Sequence, residues 1–387
     1  MNFKDFILES RQHDVEKLDH LDHNEDHIFN AGYDGFKHAY KNLIDVHNAL
    51  SGEQNPNLKI SLKHDGSPSL IFGKNPDNNK FFVASKSMFN KNPKINYSHE
   101  DIEANHGHSL GLVDTLKTAF DHLQKIMPEE GGIFQGDVLH TDKTKKNNPM
   151  SVQFTPNTVT YTYPHDSEHG KRTNRAKIGI AVHTAYSGDK LAGMKPEFGA
   201  KPGFGYSSDV HTIDSDVKLP KNYDASDFRH KIQNAEKAFT QLPISAFEVG
   251  KEHSLPIKMY INHTVRNSLA PSFNGFVDFL NSKKDSEIGK LSSPGAIKSK
   301  EKDFDAKLGK LYPHAETLDK LFDLHHHLQA AKNSLIKSLD KEHLGNFSIN
   351  GEPSGPEGYV VISGNRPTKF VNRSIFSKAN FDKKRGA

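Results

Sequence analysis

A chain of 387 residues with no cysteine has no disulfide, no thiolate metal site and no cysteine nucleophile at its disposal. Its hydrophobic content of 34% and mean hydropathy of −0.71 predict one dense core carrying polar helical additions. A net charge of +3 permits a nucleic-acid partner without demanding one, and the absence of any run of about 18 apolar residues excludes a spanning helix. The N-terminus has no apolar signal region, so the expected protein is soluble, cytoplasmic and without a membrane partner.

Residues 1–54 read as helical, with Phe3, Phe6, Ile7, Phe29, Phe36, Ala39, Tyr40, Leu43 and Ile44 at helical spacing. From about 57 the pattern turns to strands at 59–62, 69–72 and 81–84, separated by Gly, Pro and Asn turns. A helix is predicted over 110–127, and strands over 132–139, 152–154, 158–163 and 178–184. Helices return at 225–242, 259–269, 275–280 and 311–339, with a break near Pro313, and strands close the chain at 347–349, 358–362 and 369–371. Sheet on both sides of a helical stretch predicts one core with an inserted helical domain. The expected division is an N-terminal helical segment 1–54, a core 55–220, a helical insertion 221–344, and the last strands of the core at 345–387.

Lys63-His64-Asp65-Gly66 ends the apolar run from Leu58 to Leu62. Asp-Gly between alternating segments reads as a hairpin turn, which makes Lys63 a solvated strand-end charge. The other reading is a nucleophile, an amine kept partly neutral by burial or neighbouring cations. Four further segments bear on that choice: Ser85-Lys86 after a strand, Asp137 in Phe134-Gln135-Gly136-Asp137-Val138-Leu139, Glu357 in Glu357-Gly358-Tyr359-Val360-Val361, and Lys369 to Arg373. Each alone is an ordinary surface charge, cap or turn. Their order along the chain carries the information.

In that order the sequence resembles the covalent nucleotidyltransferases, the superfamily of ATP-dependent RNA ligases, DNA ligases and mRNA capping enzymes, and is most similar to RNA-ligase-like proteins of tailed phages. The resemblance covers about 57–217 and 345–378. It implies an α+β fold with an antiparallel-sheet nucleotidyltransferase core, and the chain leaves no room after the last strand for an oligonucleotide-binding barrel. It implies that Lys63 is the adenylylated amine, that Asp65 and Gly66 shape the turn beside it, and that Ser85 and Lys86 lie near the ribose and incoming phosphate. Asp137 takes the place of a glutamate, and with Glu357 would hold Mg²⁺ and contact the nucleotide. Lys369 would contact the α-phosphate, with Arg373 or Lys378 supplying a further cation where Val371 replaces a second lysine. The strand 177–184 lacks the expected adenine-stacking aromatic.

The implied activity is ATP- and Mg²⁺-dependent polynucleotide ligation by a monomer, with RNA preferred, in the host cytoplasm if the chain is phage-encoded. The alternatives are DNA nick sealing and a catalytically inactive structural or nucleic-acid-binding protein that keeps the fold. The chemistry is self-consistent. An amine attacking the α-phosphate of ATP expels pyrophosphate, and cations together with a carboxylate-held Mg²⁺ offset the crowded charge. Outside this group, His13, His20, His23 and His27 lie among acids and offer metal ligands or a solvated surface, and Asn157 precedes a strand where a substrate contact is conceivable.

Overall fold

The computed structural model describes residues 21–383, apart from 192, 200, 201, 344 and 365. Phe3, Phe6, Ile7, His13 and His20 thus lie outside the described residues. In chain order the first elements are α1 (His27–Asn30), α2 (Gly32–Leu50), β1 (Leu58–Lys63), β2 (Ser69–Lys74), β3 (Phe81–Ser85), α3 (His99–His106) and α4 (Leu110–Leu123). Next come β4 (Ile133–Thr141), β5 (Lys146–Asn147), β6 (Ser151–Phe154), β7 (Thr160–Pro164), α5 (Glu168–Arg175), β8 (Ile178–Ser187), β9 (Lys195–Phe198) and β10 (Val210–Thr212). A helical run follows: α6 (Ser226–Thr240), α7 (Ala246–Glu252), α8 (Ser254–Asn267), α9 (Phe273–Ile288), α10 (Pro294–Leu311) and α11 (Ala315–Leu339). The last elements are β11 (Phe347–Ile349), β12 (Glu352–Ser354), β13 (Gly358–Ser363), β14 (Arg366–Phe370) and α12 (Lys378–Lys383).

The fold is α+β, with largely antiparallel sheets in which β8 and β10 pair in parallel. Two compact units divide the chain. Among the described residues the first holds Ser61–Val217 and His343–Glu357, and the second holds Leu21–Ile60, Lys218–Glu342 and the residues from Gly358 onward. Among the described residues no helix is long and apolar enough to cross a membrane.

In the first unit the central sheet runs β10-β8-β4-β2-β3, with β9 added to β8. The two-residue strand period sends Leu70 and Phe72 to one face and Ile71 to the other. On the first face they meet Leu116, Ala119 and Leu123 of α4, and on the second Ile71 joins Phe82, Ile133 and Tyr186. Each buried Leu or Phe contributes about 1.5–3 kcal/mol by leaving water. A second sheet, β12-β11-β7-β6-β5, is held by aromatic packing, with Phe154 stacked on Tyr161 at 5.0 Å and Phe347 edge-on to Tyr161 at 5.2 Å. The expected hairpin through Asp65-Gly66 does not form. β1 belongs to a three-stranded sheet of order β1-β13-β14, whereas β2 pairs with β3 and β4.

The second unit gathers segments that the sequence had assigned to three different regions. Helix α2 lays Phe36 against Phe239 of α6 at 4.4 Å, and Phe29 packs edge-on to Phe322 of α11. Polar contacts bind both ends of the chain to these helices. Lys332 of α11 donates to both carboxylate oxygens of Glu25 at 2.8 and 2.7 Å, and Arg373 donates to Asp26 at 2.8 Å, which also pairs with His325 at 2.9 Å. Thr368 of β14 bonds His27 at 2.9 Å. Residues 21–60 and 358–387 therefore group with the helices, because the buried charges of one segment find their counter-ions on the other.

Breaking that network has a definite cost. Lys332→Met leaves the Glu25 carboxylate buried without its cation, and stability in urea, read by far-UV circular dichroism, is expected to fall by about 3–5 kcal/mol. Adding Glu25→Gln to the same chain removes the stranded charge and should recover most of the loss.

Candidate active site

Four residues, Lys63 to Gly66, are pinned on both sides within the first unit. Before them, the amide of Leu62 donates to the Ser215 carbonyl at 2.7 Å. After them, Ser67 N donates to Val138 O at 2.9 Å and Val138 N to Pro68 O at 3.0 Å, which ties the segment to β4. His64 Nε2 lies 3.1 Å from the Asp214 carbonyl, an atom that can only accept, so this nitrogen carries the proton. Burial lowers the His64 pKa to about 4, and the ring is neutral at pH 7.

Asp65 bonds the chain itself. Its carboxylate accepts hydrogen bonds from Asn157 Nδ2 at 2.8 Å, Thr158 N at 2.5 Å and Val159 N at 2.8 Å, and its own amide donates to Tyr161 Oη at 2.9 Å. The acid thus staples the Lys63 segment to the turn between β6 and β7. Asn157, considered for substrate contact, spends its amide on that staple. Gly66 has a steric reason: a Cβ there would stand 2.5 Å from the Asp137 Cβ.

Lys63 leaves this support with its amine 2.5 Å from Glu357 Oε2. Burial acts to lower the Lys63 pKa, but the contact with Glu357 and the charges of Asp137 and Asp65 outweigh it and raise the pKa. This corrects the expected environment. Anions surround the amine rather than cations, and in this state it is protonated at neutral pH.

Asp137 lies opposite Ser69 in the β2–β4 pairing. Burial works against its charge, yet the neighbouring His183 and Ser69 side chains and the nearby Lys63 cation hold its pKa below the usual carboxylate value. His183 Nε2 is 3.7 Å from Asp137 Oδ1. It is the extra residue of a bulge, because Gln135 pairs with Thr184 and Gly136 with Val182. Its ring stacks on Phe198 of β9 at 5.5 Å. Neither ring was singled out in the sequence, and no local signal marks a bulge there.

Ser85 ends β3 opposite Leu70, in register with the face of the sheet that meets α4, whereas Asp137 and Ser69 share the other face. Its hydroxyl accepts from Ser87 N at 3.2 Å and caps a short 3₁₀ turn beginning at Lys86, which is exposed. Neither residue joins Lys63, Asp137 or Glu357 through a described contact. Lys369 and Arg373 belong to the second unit. Lys369 sits in β14 opposite Val360, with its amide donating to Asp22 O at 3.0 Å. Arg373 is fully buried, and besides Asp26 it donates to Asn262 Oδ1 at 2.7 Å. Its guanidinium is a structural counter-ion there. Glu25, Asp26 and His325 converge closely enough for a metal, but Lys332 and Arg373 already neutralise both acids.

Residues 18–385 match a family of unknown function, DUF6267. The chain belongs to that family. Comparison with curated proteins and with solved structures gives no match. The family match spans residues of both units, so the Lys63 segment and the buried ion network are parts of one family sequence.

Two substitutions test the support of the lysine. Asp65→Ala orphans the Thr158 and Val159 amides, and at about 1–3 kcal/mol per buried donor the loss should be about 2–5 kcal/mol. Gly66→Ala should fall in the same range by overlap with Asp137. Urea titrations followed by tyrosine fluorescence measure both, and a midpoint equal to that of the parent chain for either would contradict the geometry.

Proposed function

We propose that this protein is an ATP-dependent polynucleotide ligase that works through a lysyl-AMP at Lys63, with RNA as the preferred polymer and nicked DNA as the competing one. The observation that supports this reading most is the Lys63 amine held 2.5 Å from Glu357, beside Asp137, on a backbone that Asp65 and Gly66 immobilise. A surface lysine needs no such support. A nucleophile does, since misplacement by an ångström costs rate steeply.

The donor set suits a magnesium nucleotide. Mg²⁺ takes oxygen ligands, keeps several waters and needs only one or two carboxylates besides the phosphates, and Asp137 and Glu357 are those carboxylates. When bound, it would neutralise phosphate charge and compete with Lys63 for Glu357. The chain's own residues do the rest. Glu357 orients the amine, and once Lys63 has lost its proton the nitrogen attacks the α-phosphorus of ATP. A P–N bond forms, the α–β anhydride breaks, and pyrophosphate leaves. A 5′-phosphate oxygen then attacks the same phosphorus, breaking the P–N bond and restoring the amine. A 3′-hydroxyl finally displaces AMP and seals the strand. The His183–Phe198 stack beside Asp137 offers the nucleotide base an aromatic surface.

Incubation with α-labelled ATP and Mg²⁺ is expected to leave denaturation-stable label on the wild type and none on Lys63→Ala. Glu357→Gln should label about 10²-fold more slowly, in the range of other lost electrostatic contacts at reacting phosphates. Because the resting amine is protonated, its reactive fraction rises with pH. The single-turnover labelling rate should increase about tenfold per unit from roughly pH 7 to 10, with no levelling below the ordinary lysine value of about 10.4. Absence of label with every nucleoside triphosphate would overturn the proposal.

A further inference from the structure

Charge of opposite sign is segregated within the first unit. Residues 142–177 carry seven lysines and arginines against three acids, whereas residues 61–141, 178–217 and 343–357 carry eleven against seventeen. Helix α5 sits at the centre of the basic stretch, capped by Ser167, whose hydroxyl accepts from Gly170 N at 3.0 Å. Gly170 and Thr173 are buried against β6, β7 and β10, while Lys171 and Arg175 are exposed and Arg172 is half-buried. With 3.6 residues per turn, Lys171, Arg172 and Arg175 share the outer face.

The neighbouring cations divide into two sets. Lys143 pairs with Asp114, and Lys145 and Lys177 both pair with Asp142. Lys146, Lys171, Arg172 and Arg175 form no ion pair among the described residues, and Arg172 makes only a 3.4 Å hydrogen bond to Thr212 Oγ1. The helix dipole favours cations in the last turn of α5 and so accounts locally for Arg172 and Arg175. It does not account for Lys146 on a separate strand, nor for the acidic balance of the rest of the unit.

We infer that the outer face of α5, with Lys146, binds the phosphodiester backbone of a nucleic-acid strand without reading its sequence. Lys171 and Arg175 stand one turn apart, about 6 Å along the axis, a spacing that lets neighbouring side chains reach successive phosphates. The helix packs on the same β6–β7 hairpin whose turn holds Asp65, so the surface rides on rigid elements of the unit that carries Lys63. Why such a strand should be bound rests on the ligase reading; the charge pattern does not.

The test is fluorescence anisotropy with a short labelled single-stranded RNA of mixed sequence across a salt series, using the full chain. Lys171→Ala/Arg175→Ala is compared with Lys80→Ala/Lys91→Ala, two exposed lysines outside the basic stretch. Two lost phosphate contacts should lower the slope of log K against log salt by about 1.4 and weaken binding by about tenfold to thirtyfold near 0.1 M salt. The control pair should bind like the wild type. Equal affinity and slope in both variants would overturn the inference, as would no RNA binding by the wild type or binding of anionic vesicles in its place. Lys63 labelling is read in parallel. Label retained with RNA binding unchanged by Lys171→Ala/Arg175→Ala sinks this inference alone, and no label with RNA binding lost in that variant sinks the ligase reading alone.

Discussion

The carboxylate of Asp65 is the constraint on which the candidate site depends. It accepts from two successive backbone amides and one side-chain amide, and hydrogen bonds to a charged group are worth about 1.5–3 kcal/mol each. Without it the β6–β7 turn would have buried donors and no acceptor, and the residues after Lys63 would lose their anchor. Gly66 adds a second constraint by lying against Asp137, which fixes how closely the segment approaches β4. The direction of the Lys63 side chain follows from these two backbone facts.

Two buried lysines show why an ion pair alone says little about function. Lys332 is 0% exposed and grips both oxygens of Glu25, and burial lowers its pKa. On chemistry alone it would be the better nucleophile. No substrate can reach it, and its role is to neutralise a charge inside the second unit. The Lys63 side chain is 27% exposed and meets Glu357 through Oε2. Accessibility marks Lys63, not basicity.

Much of the element pattern was legible in the sequence. The strand at 347–349 has the predicted bounds, and β1, β2 and β3 extend the predicted runs by one or two residues, because β1 alternates and β2 and β3 are short contiguous apolar runs bounded by turn residues. Helix α5 escaped notice: Glu168 to Arg175 contains no apolar residue, and its packed stripe consists of glycine and threonine. Helix α10 is absent from the predicted elements for a similar reason, since few of its side chains are buried. At the site, Lys63 and Glu357 were visible as types in a known order, but partner choice was not. The Asp-Gly pair carried the chemistry of a hairpin turn, and Asp65 instead accepts from a different turn about ninety residues away. Arg373 looked like a solvated cation because nothing in its neighbourhood announces that Asp26 and Asn262 will enclose it.

The two departures from the expected motif order fall on paired strands, β4 and β8. An aspartate at 137 reaches one methylene less far than a glutamate, and strand β8 lacks the ring expected on it. The bulge in β8 leaves His183 without a partner on β4, and its imidazole lies 3.7 Å from Asp137, where it helps hold the shorter acid ionised. Its ring lies on Phe198 of the added strand β9. Asp137 pairs with Ala181, so strand alternation alone puts position 183 on the face of Asp137, and the bulge that follows it brings Thr184 and Tyr186 to that face as well.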